Sequence, residues 1–214
     1  MKPMNILLRR TLSGVVSAAL LGACASAPPE HFYTLDTDSP ASVKAVTNAR
    51  FSMTIQRVTV PGSVDRPQLV LQTGQNKVRL DEQHRWAESL RQAIPRVVAS
   101  DLRRHFPNAN IAVAADSSSE PIPTYFLTMD VLRFESNPGD GVRLEVHWQV
   151  RKPTTASAAA SPALSQFPKT DSISDSREAT GDAGYEALVA AHRKALARLA
   201  GDIANTLTTA NSRP

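Results

Sequence analysis

The sequence lacks the residue patterns that commonly assign a catalytic activity. It contains no Gly-x-Ser-x-Gly nucleophile elbow, no Gly-x-x-x-x-Gly-Lys phosphate loop and no His-Glu-x-x-His zinc motif. The five histidines stand singly and share no metal-ligand spacing: His31, His84, His105, His147 and His192. We therefore expect no catalytic residue, no metal and no cofactor.

Cysteine is nearly absent as well. Cys24 is the only cysteine among 214 residues, so an intramolecular disulfide is excluded. The domain must therefore fold through packing alone, and the chain is long enough to bury a core of its own.

A strong excess of either charge is also missing. The sequence has 24 basic and 20 acidic residues, a formal net charge of +4. Three of the basic residues, Lys2, Arg9 and Arg10, lie in the first 23 positions, which contain no acidic residue, so the rest of the chain is close to neutral. A near-neutral surface of mixed sign gives no electrostatic footprint for nucleic acid, and we expect no nucleic-acid partner.

The N-terminus has a short apolar run where a membrane-spanning helix would need a longer one. The run extends from Thr11 to Ala23 and is broken by Ser13 and Ser17, whereas crossing a bilayer takes about 20 apolar residues. A basic start, a short apolar middle and small residues before a cysteine are typical of a bacterial lipoprotein signal peptide. We predict that residues 1–23 are removed and that Cys24 is lipidated. The alternative is an ordinary secreted protein in which a cysteine falls there by chance.

Lipidation of Cys24 would fix the location of the protein. Stable anchoring takes more than one acyl chain, and bacterial lipoproteins carry three. The next residue is Ala25 rather than an aspartate that would favour retention at the inner membrane, so we expect the periplasmic face of the outer membrane. Residues 24–30 form a short tether that reaches roughly 20 Å when extended, as Pro28 and Pro29 favour.

Apolar alternation predicts the strands of a single domain over residues 31–210. Along Phe51–Val60 the alternation slips by one residue, which indicates a β-bulge. Two later strands should form a hairpin that turns through residues 137–141. The predicted strands are Phe32–Leu35, Phe51–Val60, Gln68–Gln72, Lys77–Leu80, Ile111–Ala114, Tyr125–Val131 and Val142–Val150.

Two segments have the three- and four-residue apolar spacing of amphipathic helices. The first should begin at Trp86, bend near Ala93 because of Pro95, and end at Pro107; the second should run from Tyr185 to about Leu207. The predicted class is α+β, a mixed and largely antiparallel sheet packed by two long helices in one layered α/β domain. Residues 153–183 are predicted to be a flexible insertion with marginal strands at Ala163–Phe167 and Ser172–Glu178.

Two clusters resemble a known family. Val58-Thr59-Val60-Pro61-Gly62-Ser63-Val64-Asp65-Arg66-Pro67-Gln68-Leu69-Val70 and then Arg85-Trp86-Ala87-Glu88-Ser89-Leu90 resemble the PqiC-like auxiliary lipoproteins of ABC-type and MCE-type transport systems. The opening Phe32-Tyr33-Thr34-Leu35 and the C-terminal helix match the same family. The resemblance implies a non-catalytic subunit that docks a membrane-spanning MCE assembly, one that moves phospholipid or other hydrophobic molecules, at the outer membrane. Self-association into a homo-oligomer is possible for such a subunit.

The candidate partner-binding residues are Asp65 and Arg66, in the loop between two predicted strands, and Gln68, the first residue of the second strand. Arg66 is the strongest candidate, because arginine is favoured at interfaces and we expect it to be exposed. A structural alternative is a self-contained loop in which the Asp65 carboxylate accepts backbone hydrogen bonds. For Trp86 we expect burial, and for Arg85 and Glu88 an ion pair on the helix surface.

Three functions therefore compete. The first is the docking subunit of an envelope lipid transport system. The second is a membrane-tethered periplasmic hydrolase, which would gather a nucleophile and one of the histidines in a pocket. The third is a structural or chaperone-like outer-membrane lipoprotein with unrelated partners.

Overall fold

Eight strands form one mixed sheet in the computed structural model, which describes residues 28–35, 43–114, 125–152, 170–180 and 184–211. Cys24, the predicted signal peptide and the candidate strand at 163–167 lie outside these residues. The strands are β1 (His31–Tyr33), β2 (Ser52–Thr59), β3 (Gln68–Gly74), β4 (Lys77–Trp86), β5 (Asn110–Val113), β6 (Tyr125–Asn137), β7 (Gly141–Arg151) and β8 (Thr170–Ala179).

The sheet has the order β1-β4-β3-β6-β2-β5, and β7 pairs with the other edge of β6. Pairing is parallel for β1 with β4, β2 with β5 and β6, and β3 with β6. The long ladders of β6 with β7 and of β7 with β8 are antiparallel, as is that of β3 with β4. The mixed α+β class is thus confirmed. β8 contains the second candidate strand of the predicted insertion, Ser172–Glu178, so residues 170–179 are part of the sheet.

Two bulges set which side chains face the core. The predicted bulge in β2 is confirmed, because the register with β6 shifts between Ile55 and Arg57. A second bulge, which the alternation did not reveal, lies in β6 between Val131 and Arg133. Odd-numbered residues of β6 are buried before it and even-numbered ones after it, so Phe134 faces the core while Leu132 is exposed.

The predicted hairpin is confirmed at its turn. The Asp140 N–H donates to the Asn137 carbonyl at 3.1 Å. Gly139 and Gly141 have φ of 83° and 140°, a backbone conformation that side chains disfavour. At Gly141 a Cβ would lie 2.0 Å from the Glu178 carbonyl oxygen, so glycine permits β8 to approach there.

Helix α1 spans Leu90–His105 and continues through Pro95, and α2 spans Tyr185–Asn211. The predicted helix start at Trp86 is wrong. The Trp86 N–H donates to the Pro67 carbonyl at 2.7 Å, and the Ala87 N–H donates to the Tyr33 carbonyl at 2.8 Å. These bonds hold the chain extended, so the helix begins only at Leu90.

The predicted ion pair of Arg85 with Glu88 is wrong for the same reason, because Arg85 lies on β4. Its guanidinium contacts Glu82, and Glu88 instead pairs with Arg96 on α1. Trp86 is buried as expected, with 7% exposure.

Both helices pack on one face of the sheet and form the core with it. Leu102 of α1, Leu199 of α2 and Val146 of β7 are all buried there. The predicted apolar stripe of the C-terminal helix is confirmed, with Leu188, Leu196, Leu199 and Ile203 buried and Val189 and Leu207 packed against the core. No helix among the described residues is long and apolar enough to span a bilayer. From His31 onward the chain clusters into one unit.

Candidate functional site

A gap in the sheet lies beside the segment that contains the candidate partner-binding residues. On one edge of β6, β2 pairs as far as Asp130, and β3 pairs only at Ser136. Within the described ranges, the stretch 131–135 between these points has a strand partner only in β7, on its other edge. The regular ladder on this edge of β6 is therefore interrupted between Asp130 and Ser136.

The loop 60–67, which joins β2 to β3, lies at this gap. Its first turn is closed by backbone bonds, since the N–H groups of Val64 and Asp65 both donate to the Pro61 carbonyl at 3.0 Å. The Arg66 N–H donates to the Val64 carbonyl at 2.9 Å. Such main-chain bonds fix the loop without help from the side chain of Asp65.

Between the loop and β6 is a pocket of about 140 Å³, which we call the outer-face pocket. Val70 and Gln72 of β3 are on the opposite sheet face from Leu69 and Leu71, which pack in the core, so the pocket is on the face without helices. The pocket is lined by Pro61, Ser63, Val64, Val70, Gln72, Val78, Leu132, Arg133, Phe134, Glu135 and Ser136.

Apolar side chains are exposed around this pocket. Val78 and Leu132 line it and are 51% and 47% exposed. Leu80, which is paired with Val70 and therefore on the same face, is 38% exposed. Phe32 of β1 pairs with Arg85 of β4, and Arg85 in turn pairs with β3. By these registers, Phe32 lies on the same face of the sheet as the pocket. An exposed apolar surface with a polar rim is typical of an interaction site.

Two of the three candidate partner-binding residues already have partners within the chain. The Asp65 carboxylate accepts from the Arg91 guanidinium of α1 at 2.6 Å, so the expected backbone bonds to its side chain are replaced by an ion pair. The Gln68 amide donates to Glu82 at 3.1 Å. Both side chains link the loop to neighbouring elements.

Arg66 differs from these two residues. It is half-buried rather than exposed as we expected, and its Nε is buried with no hydrogen-bond partner in the described residues. A buried donor without a partner costs about 1–3 kcal/mol, so this atom is a destabilising feature of the loop. Among the three candidates, Arg66 is the one with a side-chain nitrogen that lacks a partner in the described residues, and its role in partner binding stays a prediction.

A second polar cluster joins β4 to the start of α2. Asp81 accepts from the His84 ring at 2.7 Å and from the Tyr185 hydroxyl. Burial alone would raise the Asp81 pKa, but the hydrogen bonds from Tyr185 and His84 outweigh it and hold the pKa below its ordinary value. The His84 and Tyr185 rings are stacked with centroids 3.6 Å apart, and burial raises the Tyr185 pKa. These contacts fix β4 to α2.

Ser136 and His192 form the serine–histidine pair that a hydrolase would require. Ser136 Oγ is 2.8 Å from His192 Nε2, but the two residues are only 3% and 1% exposed. Burial lowers the His192 pKa to about 3, and its Nδ1 has no partner in the described part of the chain. A general base needs a pKa near the working pH and an orienting acceptor, so this pair is suited to packing rather than proton transfer.

Among the described residues, no group of three His, Cys, Asp or Glu side chains could hold a metal ion.

The sequence did not reveal the pocket or its exposed rim. Val78 and Leu80 were predicted as strand residues, but alternation does not say which face a helix will cover. Leu132 is exposed because of the bulge in β6, and the gap arises from two strands sharing one edge of β6, a long-range feature without a local sequence signal.

Comparison with known proteins assigns both a family and a fold. A family model described as an ABC-type transport auxiliary lipoprotein component matches residues 33–204. An uncharacterized protein of known crystal structure has a TM-score of 0.64 at 16% identity, covering 84% of this chain and 99% of its own. XCC0632 from Xanthomonas campestris, a DUF330 protein, has a TM-score of 0.60 at 14% identity, covering 85% and 96%. At these identities the two structures show a shared fold. No curated protein matches the sequence.

Proposed function

Because the chain belongs to the family of ABC-type transport auxiliary lipoprotein components, we propose that it is the non-catalytic docking subunit of an MCE-type intermembrane lipid transport system. Cys24 anchors it in the outer membrane, and the folded domain faces the periplasm. Its role is to hold the MCE-domain protein at that membrane and so to maintain the envelope barrier.

The observation that carries this proposal is the outer-face pocket beside the family's loop. An apolar pocket with exposed Val78 and Leu132 suits binding of a protein. The serine–histidine pair nearby is buried and has a pKa unsuited to catalysis. Both features favour holding a partner over converting a substrate.

The test is purification of the full chain from membranes of its own cell under mild detergent. We expect the MCE-domain protein to be the main partner identified by mass spectrometry, and deletion of the chain to make cells sensitive to detergents. An unrelated lipoprotein produced at the same level is the control. Recovery of no MCE-domain protein, together with an intact barrier in the deletion strain, would reject the proposal.

A further inference from the structure

We propose that β8 is a displaceable strand, which opens from the edge of β7 while the rest of the domain stays folded. This conformational change is independent of the proposed function. Three features of β8 support it: the polar residues on its inner face, its position at the edge of the sheet, and the kind of side-chain contacts that hold it.

The residues of β8 that face the core are polar. Ser174, Ser176 and Glu178 are buried, with 8%, 9% and 9% exposure, whereas the apolar Ile173 is 59% exposed on the opposite face. Ser174 Oγ accepts a hydrogen bond from Trp148 Nε1 at 3.1 Å. A strand with one covered face ordinarily turns its apolar residues toward the core. Because β8 reverses this pattern, little apolar surface holds it to the core.

The two neighbours of β7 differ in the side chains that they place beside its apolar row. Leu144 of β7 lies opposite Phe134 of β6 on one edge and opposite Ser176 of β8 on the other. Val146 of β7 lies opposite Ser174 of β8. Apolar cross-strand pairs are a main source of sheet stability, and β8 makes none at these positions. The contact of β7 with β6 is therefore the stronger of the two.

The position of β8 in the sheet allows it to leave alone. Among the described strands it pairs with β7 and with no other, so one ladder has to break. β7 keeps its long antiparallel ladder with β6 when this happens. Local opening of this kind needs less free energy than global unfolding, because it exposes less of the core.

Two ion pairs also hold β8, and each has an exposed member. Asp175 pairs with Arg143 of β7 at 2.9 Å, and Glu178 pairs with Arg198 of α2 at 2.6 Å. The side chains of Asp175 and Arg198 are 42% and 64% exposed, so water screens both pairs. Ser176 Oγ is buried without a hydrogen-bond partner in the described residues. Such a group destabilises the closed strand, because water hydrates it once the strand opens.

Opening of β8 uncovers one edge of β7. The main-chain donors and acceptors that now bond β8, between Gly141 and Val150, become accessible, and Leu144 and Val146 beside them gain contact with water. An uncovered edge of this length pairs readily with another strand. β8 is therefore a removable cover, and the open form is a minor population of the folded protein.

The experiment is native-state hydrogen exchange of the full chain in mild detergent, measured by mass spectrometry at several low urea concentrations. We expect amides in residues 170–179 to exchange at least a hundredfold faster than those of β6 that bond β7. Their exchange should also depend less on urea, because opening of β8 exposes less surface than unfolding of the domain. Equal rates and equal urea dependence in β8 and β6 would show that the sheet opens as one unit and would overturn the proposal.

Ser176→Ala tests whether the polar inner face sets the opening. It removes a buried hydroxyl that has no partner in the described residues, so we expect exchange in residues 170–179 to slow at least fivefold. Ser172→Ala is the matched control on the same strand and face. Ser172 is partly exposed, so its hydroxyl reaches water in the closed form and the same substitution should change exchange less than twofold. Equal effects of the two substitutions would contradict the role given to the buried polar face.

Discussion

His192 shows how burial changes the chemistry of a single residue. Its ring is stacked on Phe134 with centroids 3.8 Å apart and meets Trp86 edge-on. Because the surroundings are apolar, its pKa falls from 6.5 to about 3, and the histidine stays neutral in the folded protein. In the unfolded chain the same residue binds a proton at a much higher pH.

This difference predicts an acid-sensitive stability. Since the folded pKa is depressed, the contribution of neutral His192 is fully present above pH 6.5 and is lost as the pH falls toward about 3. The free energy of unfolding should fall by about 1.4 kcal/mol per pH unit within this window. Urea unfolding of the wild type and of His192→Gln at several pH values measures it.

The Gln variant serves as the comparison because glutamine can still bond Ser136 but does not titrate. We expect it to be less stable at neutral pH and to have a shallower pH slope. Burial also lowers the His105 pKa, so some slope of the same sign remains. Equal slopes in both proteins would contradict the assignment to His192.

At the scale of the elements, a buried ion pair joins the two helices. Arg193 of α2 donates two hydrogen bonds to Asp101 of α1, at 2.7 and 2.6 Å, and Arg104 also contacts this carboxylate. Asp101 is 2% exposed and Arg193 is 8% exposed. The ion pair fixes the orientation of α2 on α1, and apolar packing between the two helices stabilises their contact.

Removal of one member should therefore cost much more than removal of a surface pair. We expect Asp101→Ala to lower the free energy of unfolding by about 3–5 kcal/mol, because Arg193 is left charged and buried. Glu88→Ala, which breaks the exposed pair with Arg96, should cost at most about 1 kcal/mol. Denaturant unfolding of the two variants measures both free energies. Similar decreases in the free energy of unfolding would contradict the larger cost predicted for the buried pair.

At the scale of the whole molecule, the sheet has one face covered by helices and one face open, and the open face differs along its width. Over β6, β7 and β8 it has ion pairs, with Arg143 bonded to Asp175 at 2.9 Å and Arg133 bonded to Glu145 at 3.0 Å, beside the exposed Leu132 and Ile173. Over β3 and β4 it is apolar around the outer-face pocket.

We expect lipid anchoring through Cys24 and folding of the domain to be independent of each other. The unit that contains the sheet begins at His31, and Cys24 precedes it in the sequence. We expect Cys24→Ser to release the protein from membranes into the soluble periplasmic fraction, with a melting temperature within about 2 °C of the wild type. Fractionation after carbonate washing, with thermal unfolding of the released protein, makes the measurement. Retention of the serine variant in the outer-membrane fraction would contradict lipid anchoring through Cys24.

Local patterns were sufficient for most of the elements. The alternation along β7 correctly predicted that every second residue from Val142 to Val150 is buried. The slip in the alternation of β2 correctly predicted a bulge. Both features depend on residues that are neighbours in the sequence. The start of α1 was misplaced because Trp86 has the apolar spacing of the helix but is held extended by bonds to Pro67 and Tyr33. A helical period does not report such distant bonds.

The sequence by itself determined the class of the fold, the buried faces of its longest elements and the family of the protein, since these follow from periodicity and from two adjacent motifs. Only the tertiary structure showed which candidate side chains already have partners within the chain. Asp65 and Gln68 are occupied by Arg91 and Glu82, whereas the Nε of Arg66 has no acceptor in the described chain. The pocket likewise exists because β2 and β3 share one edge of β6 and leave a gap between them, an arrangement set by contacts far apart in sequence.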